Sequence, residues 1–233
     1  EQGVVPRPEF IVSLGDVTAY AKRSEFEAYK AITASTLPTG DGPNVVSTLG
    51  NHDETLGPDR SARFEELVGP THAVFHRGPP EAVDRFIIGY DLPGSPERRA
   101  WLLAALALAP KPRNIFILQH HNPSRALVRL VRGRAAAILS GDWHTSRVTR
   151  EAGGVLSVST GPFNFGGLDQ TPAGFRLVSV RSTGAITTRL RTGLIERRAE
   201  IVEPHAPATC NRGVLPIVVS AYDSRAPVAR ASY

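Results

Sequence analysis

Five apolar, β-branched runs punctuate the first 141 residues: "EFIVSLG" (9–15), "NVVSTLG" (44–50), "RFIIGYD" (85–91), "NIFILQH" (114–120) and "AAAILSG" (135–141). They are continuous rather than alternating, which predicts strands covered on both faces. Between them "KRSEFEAYKAITAS" (22–35) and "SPERRAWLLAALALA" (95–109) have the length and composition of helices. In the second helix Pro96 and Glu97 suit a first turn after Ser95, although Arg98 completes no capping box. Strands alternating with helices predict an α/β fold with a mostly parallel sheet. After residue 150 the pattern changes to shorter β runs, "GGVLSVST" (153–160), "AGFRLVSVRS" (173–182) and "AITTRLRT" (185–192), expected to form a second sheet packed on the first. Residues 203–214 hold turn formers without a period and predict a linker. The run "LPIVVSAYDS" (215–224) then reads as the opening strand of something the chain does not finish.

Composition narrows the class without naming a chemistry. In 233 residues, 41% hydrophobic and 21% charged, no apolar run approaches the ~20 needed to span a membrane. The net charge is +5, but Lys occurs only at 22, 30 and 111, so 24 of the 27 basic residues are Arg. These arginines are scattered, without the clusters and interleaved aromatics of a nucleic-acid footprint. One cysteine, Cys210, excludes an internal disulfide and leaves the compartment undecided.

Chemistry is concentrated where the predicted strands end. "SLGDVTAY" brings Asp16, "TLGNHDE" brings Asn51, His52 and Asp53, "LQHHNPS" brings His120 and His121, and "LSGDWHTS" brings Asp142 and His144. In an open α/β sheet, ligands gather beyond the carboxyl ends of the strands. A glycine before the polar residue lets the chain leave the strand sharply at three of these ends. One such end would read as a turn; four in the same register read as a site. His72, His76 and His205 stand in turn-like stretches and are expected to be structural.

The order "GD", "GNHD", "HHNP" and "GDWH" resembles the motifs of the calcineurin-like metallophosphoesterase superfamily over about residues 9–182. The resemblance implies a four-layer fold, two mixed β-sheets packed as a sandwich and flanked by helices. It places the metallophosphoesterase domain at residues 1–200, with 201–233 a linker and the start of a C-terminal β-rich extension. It implies hydrolysis of a phosphomonoester or phosphodiester by two metal ions, which clamp oxygens and acidify a bridging water. In that scheme Asp16 bridges the ions, Asn51 and His120 bind the second, and His144 binds the first. His52 faces the phosphate or protonates the departing oxygen, and Asp53 orients its ring.

Two departures bear on the metals. Asp142 stands where the family has the first His of GHxH, and an anionic oxygen there hardens the site, favouring Mn over Zn, with Fe also compatible. The family's initial DxH pair has no match before Asp16, so it is expected upstream of Glu1 in a longer chain, the alternative being a site that has lost one metal. Ala19 stands where purple acid phosphatases carry a metal-binding Tyr, which argues against that subclass. The alternative to a hydrolase is a binding module that keeps the fold without turnover. The substrate is expected to be a small phosphoester, and the sequence leaves its identity, the oligomeric state and the localisation open.

Overall fold

A computed structural model describes residues 8–36, 45–193, 197–203 and 217–223. The chain divides into two compact units, residues 1–142 with 149–158 and residues 143–148 with 159–233.

In the first unit β1 (Ile11–Ser13) and β2 (Val45–Ser47) pair in parallel, and α1 (Arg23–Thr36) lies between them in sequence. There follow α2 (Ala62–Leu67), β3 (Ala73–Arg77), β4 (Asp84–Ile88), α3 (Pro96–Ala107), β5 (Ile115–Leu118), α4 (Arg125–Val131), β6 (Ala137–Ser140), β7 (Arg147–Arg150) and β8 (Leu156–Ser159). A six-stranded sheet runs β3-β4-β5-β6-β8-β7. It is mixed: β4, β5 and β6 are parallel, and β3 is antiparallel to β4. The fold is α/β, as the alternation of strand and helix predicts. Every residue of β4, β5 and β6 is buried, which is why residues 86–88, 115–118 and 137–139 read as unbroken apolar stretches. Phe10 stands edge-on to Phe75 and Phe86 at 5.7 and 5.1 Å, bringing the β1–β2 pair against the larger sheet. A second cluster of Ala21, Phe26, Leu49 and Phe64 seals α1 and α2 onto the loops that follow β1 and β2.

Helix ends are managed by side chains. Ser95 caps α3 by accepting from Arg98 N at 3.3 Å, and Ser124 caps α4 by accepting from Leu127 N at 3.1 Å. Arg85, fully buried in β4, sends its guanidinium to the carbonyl oxygens of Ala105, Leu106, Leu108 and Pro110 at the far end of α3. Those carbonyls lack intrahelical partners, and a fixed cation is what a helix C-terminus accepts best. Asp84 beside it is paired with Arg113 at 2.5 Å.

The second unit contains two antiparallel pairs, β9 (Gly174–Val180) with β10 (Ile186–Thr192) and β11 (Arg197–Glu203) with β12 (Val218–Asp223). One sequence expectation changes. The run 153–160 supplies β8 of the six-stranded sheet, while among the described residues β9 and β10 pair with each other. Within the run 215–224, β12 pairs with β11. Most of the expected linker, residues 204–214, lies outside the described residues, as does His205. Among the described residues no helix is long and apolar enough to cross a membrane.

Candidate metal centre

Four loops of the first unit leave β1, β2, β5 and β6 at their carboxyl ends and meet around the ring of His120. Glycine makes the approach feasible. Gly15 has φ +92°, and a Cβ there would run into the His120 ring and the Cα of Gly50; one on Gly50 would overlap Asp16. Asp16 and Asp142 themselves adopt left-handed backbone, φ 53° and 50°, a conformation Asp tolerates better than most residues.

His120 is 2% exposed, and its Nδ1 lies 2.6 Å from the carbonyl oxygen of Leu14. A carbonyl only accepts, so Nδ1 carries the proton. Nε2 then faces Asn51 Oδ1 at 2.9 Å, Asp16 Oδ2 at 3.4 Å and Asp142 Oδ1 at 3.6 Å. A neutral imidazole would turn a lone pair toward three oxygens, two of them carboxylate. Such a cluster calls for positive charge at its centre, either a proton on Nε2 or a cation. Burial opposes the charged ring, but the hydrogen bonds to Asp16 and Leu14 and the charges of Asp16 and Asp142 outweigh it, and the His120 pKa is raised. For Asp16 burial also opposes ionisation, and His120 with the backbone N–H of His52 reverses it, so its pKa is lowered.

In kind, the donors fit a hard divalent cation: carboxylate and amide oxygens with one imidazole nitrogen whose second nitrogen is anchored. In spacing they are not preassembled. Among the described residues no group of three His, Cys, Asp or Glu side chains is placed to hold one ion. The carboxylates of Asp16 and Asp142 approach His120 without closing into such a group.

His52 sits on a short 3-10 turn, Asn51–Asp53, and is exposed. Its backbone N–H donates to Asp16 Oδ1 at 2.9 Å, and its Nδ1 lies 3.0 Å from the carbonyl oxygen of Ala19. The partner that holds the ring is therefore that carbonyl and not Asp53. Asp53 is fully buried and accepts from Gly50 N, Val17 N, Thr18 N and Thr18 Oγ1. Burial pushes its carboxyl above the ordinary value against the pull of these donors.

His144 belongs to the second unit. Its φ is 48°, its carbonyl accepts from Leu168 N at 2.7 Å, and its ring stands edge-on to Phe165 at 5.4 Å. The His121 ring packs beside Tyr90 at 5.5 Å. His76 lies within β3 rather than in a turn, with its Nε2 accepting from Arg85 Nε at 3.1 Å, and His72 stands edge-on to Trp101. The contributors that sequence reading missed are the carbonyls of Leu14 and Ala19 and the hydroxyl of Thr18. Residue type carries no signal for a carbonyl's aim, and Thr18 belongs to none of the motifs.

No protein-family model matches the chain, and no curated protein matches it either. Solved structures do match it. They include Vacuolar Protein Sorting 29 from Cryptosporidium parvum, 14% identical over 94% of this chain and 84% of that one, TM-score 0.41. A predicted phosphoesterase from Streptococcus pneumoniae is 12% identical over 78% of this chain and 88% of that one, TM-score 0.36. A hypothetical protein from Thermus thermophilus is 16% identical over 94% of this chain and 89% of that one, TM-score 0.42. With identities and scores this low, the functional reading rests on the four loops themselves.

Proposed function

We propose that the chain hydrolyses a phosphomonoester or phosphodiester with divalent metal held by Asp16, Asn51, His120 and Asp142. The observation that supports this reading is the convergence of three oxygen donors on His120 Nε2, whose ring is anchored through Nδ1. Water adds to phosphorus, the bond from phosphorus to the ester oxygen breaks, and the alcohol departs with a proton. Bound cations would clamp the phosphate oxygens and acidify the attacking water. Asp16 turns one oxygen to His120 and the other to the His52 N–H, so it couples the metal ligands to the turn that carries His52. His52, with Nδ1 donating to Ala19, has Nε2 left to hold the phosphate or, as an imidazolium, to deliver a proton to the departing oxygen. The motif order also implies His144 as a ligand, and that implication stands on the sequence alone.

The test is turnover of 4-nitrophenyl phosphate and bis(4-nitrophenyl) phosphate with Mn²⁺, comparing wild type with Asp16→Ala. Metal-dependent release of nitrophenol that disappears in Asp16→Ala is expected; equal rates in the two proteins would refute the assignment. A second reading, a binding module without turnover, is favoured by the absence, among the described residues, of a preassembled three-residue ligand set. It predicts no nitrophenol release from either ester.

A further inference from the structure

The loop that carries Asp16 and the turn that carries Asn51 and His52 are joined by a buried knot of hydrogen bonds that belongs to neither set of ligands. Thr18 is 7% exposed and Asp53 is 0% exposed. Asp53 Oδ1 accepts from Thr18 N at 2.9 Å and from Thr18 Oγ1 at 2.9 Å. Its Oδ2 accepts from Gly50 N at 3.0 Å and Val17 N at 3.3 Å. The Thr18 hydroxyl also lies 3.1 Å from the carbonyl oxygen of His52 and accepts from Ala21 N at 3.1 Å. One carboxylate and one hydroxyl thus gather backbone groups from residues 17, 18, 21, 50 and 52.

We infer that Thr18 and Asp53 are positioning residues that set the separation between Asp16 and Asn51, and so the affinity of the site for its metal. The inference rests on the phosphoester reading only in taking Asp16 and Asn51 as ligands. Its physical basis is local. Asp16 and Ala21, at φ 53° and 51°, are both non-glycine residues in left-handed backbone, so the loop between them would relax if released. Thr18 lies between the two, and its hydroxyl ties the loop at once to its own Ala21 N–H and to Asp53 across from it. Asp53 in turn binds the N–H of Gly50, immediately before Asn51. Loss of the hydroxyl frees the Asp16 loop, whereas loss of the carboxylate frees both sides. Outer partners of this sort set ligand geometry, and removing one typically lowers metal affinity about 10- to 100-fold.

The experiment is Mn²⁺ binding by titration calorimetry on wild type, Thr18→Val, Thr18→Ser and Asp53→Asn, with each melting temperature recorded without metal. Thr18→Val keeps the shape and removes the hydroxyl, and should weaken Mn²⁺ binding about tenfold or more; Thr18→Ser restores the hydroxyl and should return affinity to within about twofold of wild type. Asp53→Asn places an amide donor among N–H donors and should weaken binding at least as much as Thr18→Val. Should Thr18→Val fail to fold, Thr18→Ala takes its place. Equal affinity in Thr18→Val and wild type overturns the inference while leaving the metal reading intact, and so does a Thr18→Ser protein that binds as weakly as Thr18→Val. Wild type that binds no Mn²⁺ overturns the metal reading and this inference with it.

Discussion

His120 donates its Nδ1 proton to the carbonyl oxygen of Leu14, 106 positions earlier in the chain, over 2.6 Å. That one bond fixes the ring's tautomer and aims Nε2 at the oxygens of Asn51, Asp16 and Asp142. It also joins the strand end of β5 to that of β1, so the converging loops are organised by backbone as much as by side chain. Chemistry at this site should respond to the ring's orientation as well as to its presence. His120→Gln, which keeps an acceptor but loses the Nδ1 anchor, should bind Mn²⁺ at least about tenfold more weakly than wild type, read by calorimetry.

His52 is exposed, and its hydrogen bonds run to Asp16, Ala19 and Thr18. His52→Ala should therefore retain Mn²⁺ stoichiometry and melting temperature while turnover falls about 10²- to 10⁴-fold, the usual weight of an acid–base group. Metal analysis of the purified variant separates the roles. A His52→Ala protein that has lost its Mn²⁺ would make His52 a ligand.

Protonation of the metal-free protein follows from the Asp16–His120 pair. The Asp16 pKa is lowered, so its contribution to stability is present above its unfolded value and is lost as pH falls through the lower folded value. The His120 pKa is raised, so its contribution is complete below its unfolded value and is lost as pH rises through the higher folded value. The pair is thus strongest between the ordinary Asp and His values, 3.8 and 6.5, and weakens on both sides. Urea midpoints measured without metal should decline from pH 6 to pH 9 in wild type, and that alkaline decline should be shallower in His120→Gln.

Much of this was legible in the chain and some was not, for identifiable reasons. Strands β4, β5 and β6 are buried on both faces, so their apolar runs are continuous and their polar exits conspicuous. His120 and Asp142 sit at such exits, after β5 and β6, and Asp16 and Asn51 follow the shorter β1 and β2 and come close to them. Strand β3 escaped notice because His76 and Arg77 break its apolar pattern, and α4 because its seven residues are too few to show a period. The pairing of β12 with β11 is set in space by a register that no local pattern contains. For the same reason Asp53 looked like a partner for the adjacent His52, whereas its carboxylate points back to Thr18 and Gly50. Neighbours in sequence on a 3-10 turn project in different directions.

Asp142 offers a test of metal preference. It holds left-handed backbone at φ 50°, which His also adopts more readily than most residues, so Asp142→His should preserve the loop. Replacing a hard anionic oxygen by a neutral nitrogen should move the preference from Mn²⁺ toward Zn²⁺. Paired titrations with the two ions read this as a change in their affinity ratio. A ratio that Asp142→His leaves unchanged would make Asp142 a turn residue only.

Arg85 tests the scaffold apart from the chemistry. Its guanidinium is fully buried and serves four carbonyls at the end of α3, so Arg85→Met strands those acceptors even though the stem volume is kept. Loss of about 2–4 kcal/mol is expected by urea unfolding, as for other broken buried networks. A loss below about 0.5 kcal/mol would mean the carbonyls find water instead.

The central claim is that Asp16, Asn51, His120 and Asp142 together hold a cation, and Mn²⁺ titration calorimetry in two buffers of different ionisation enthalpy tests it most directly. The account predicts that wild type binds Mn²⁺ with release of protons near pH 6.5, where part of His120 is still protonated, and that Asp16→Ala and Asp142→Ala each weaken binding. Wild type that takes up no Mn²⁺, or affinity that neither substitution changes, would contradict it.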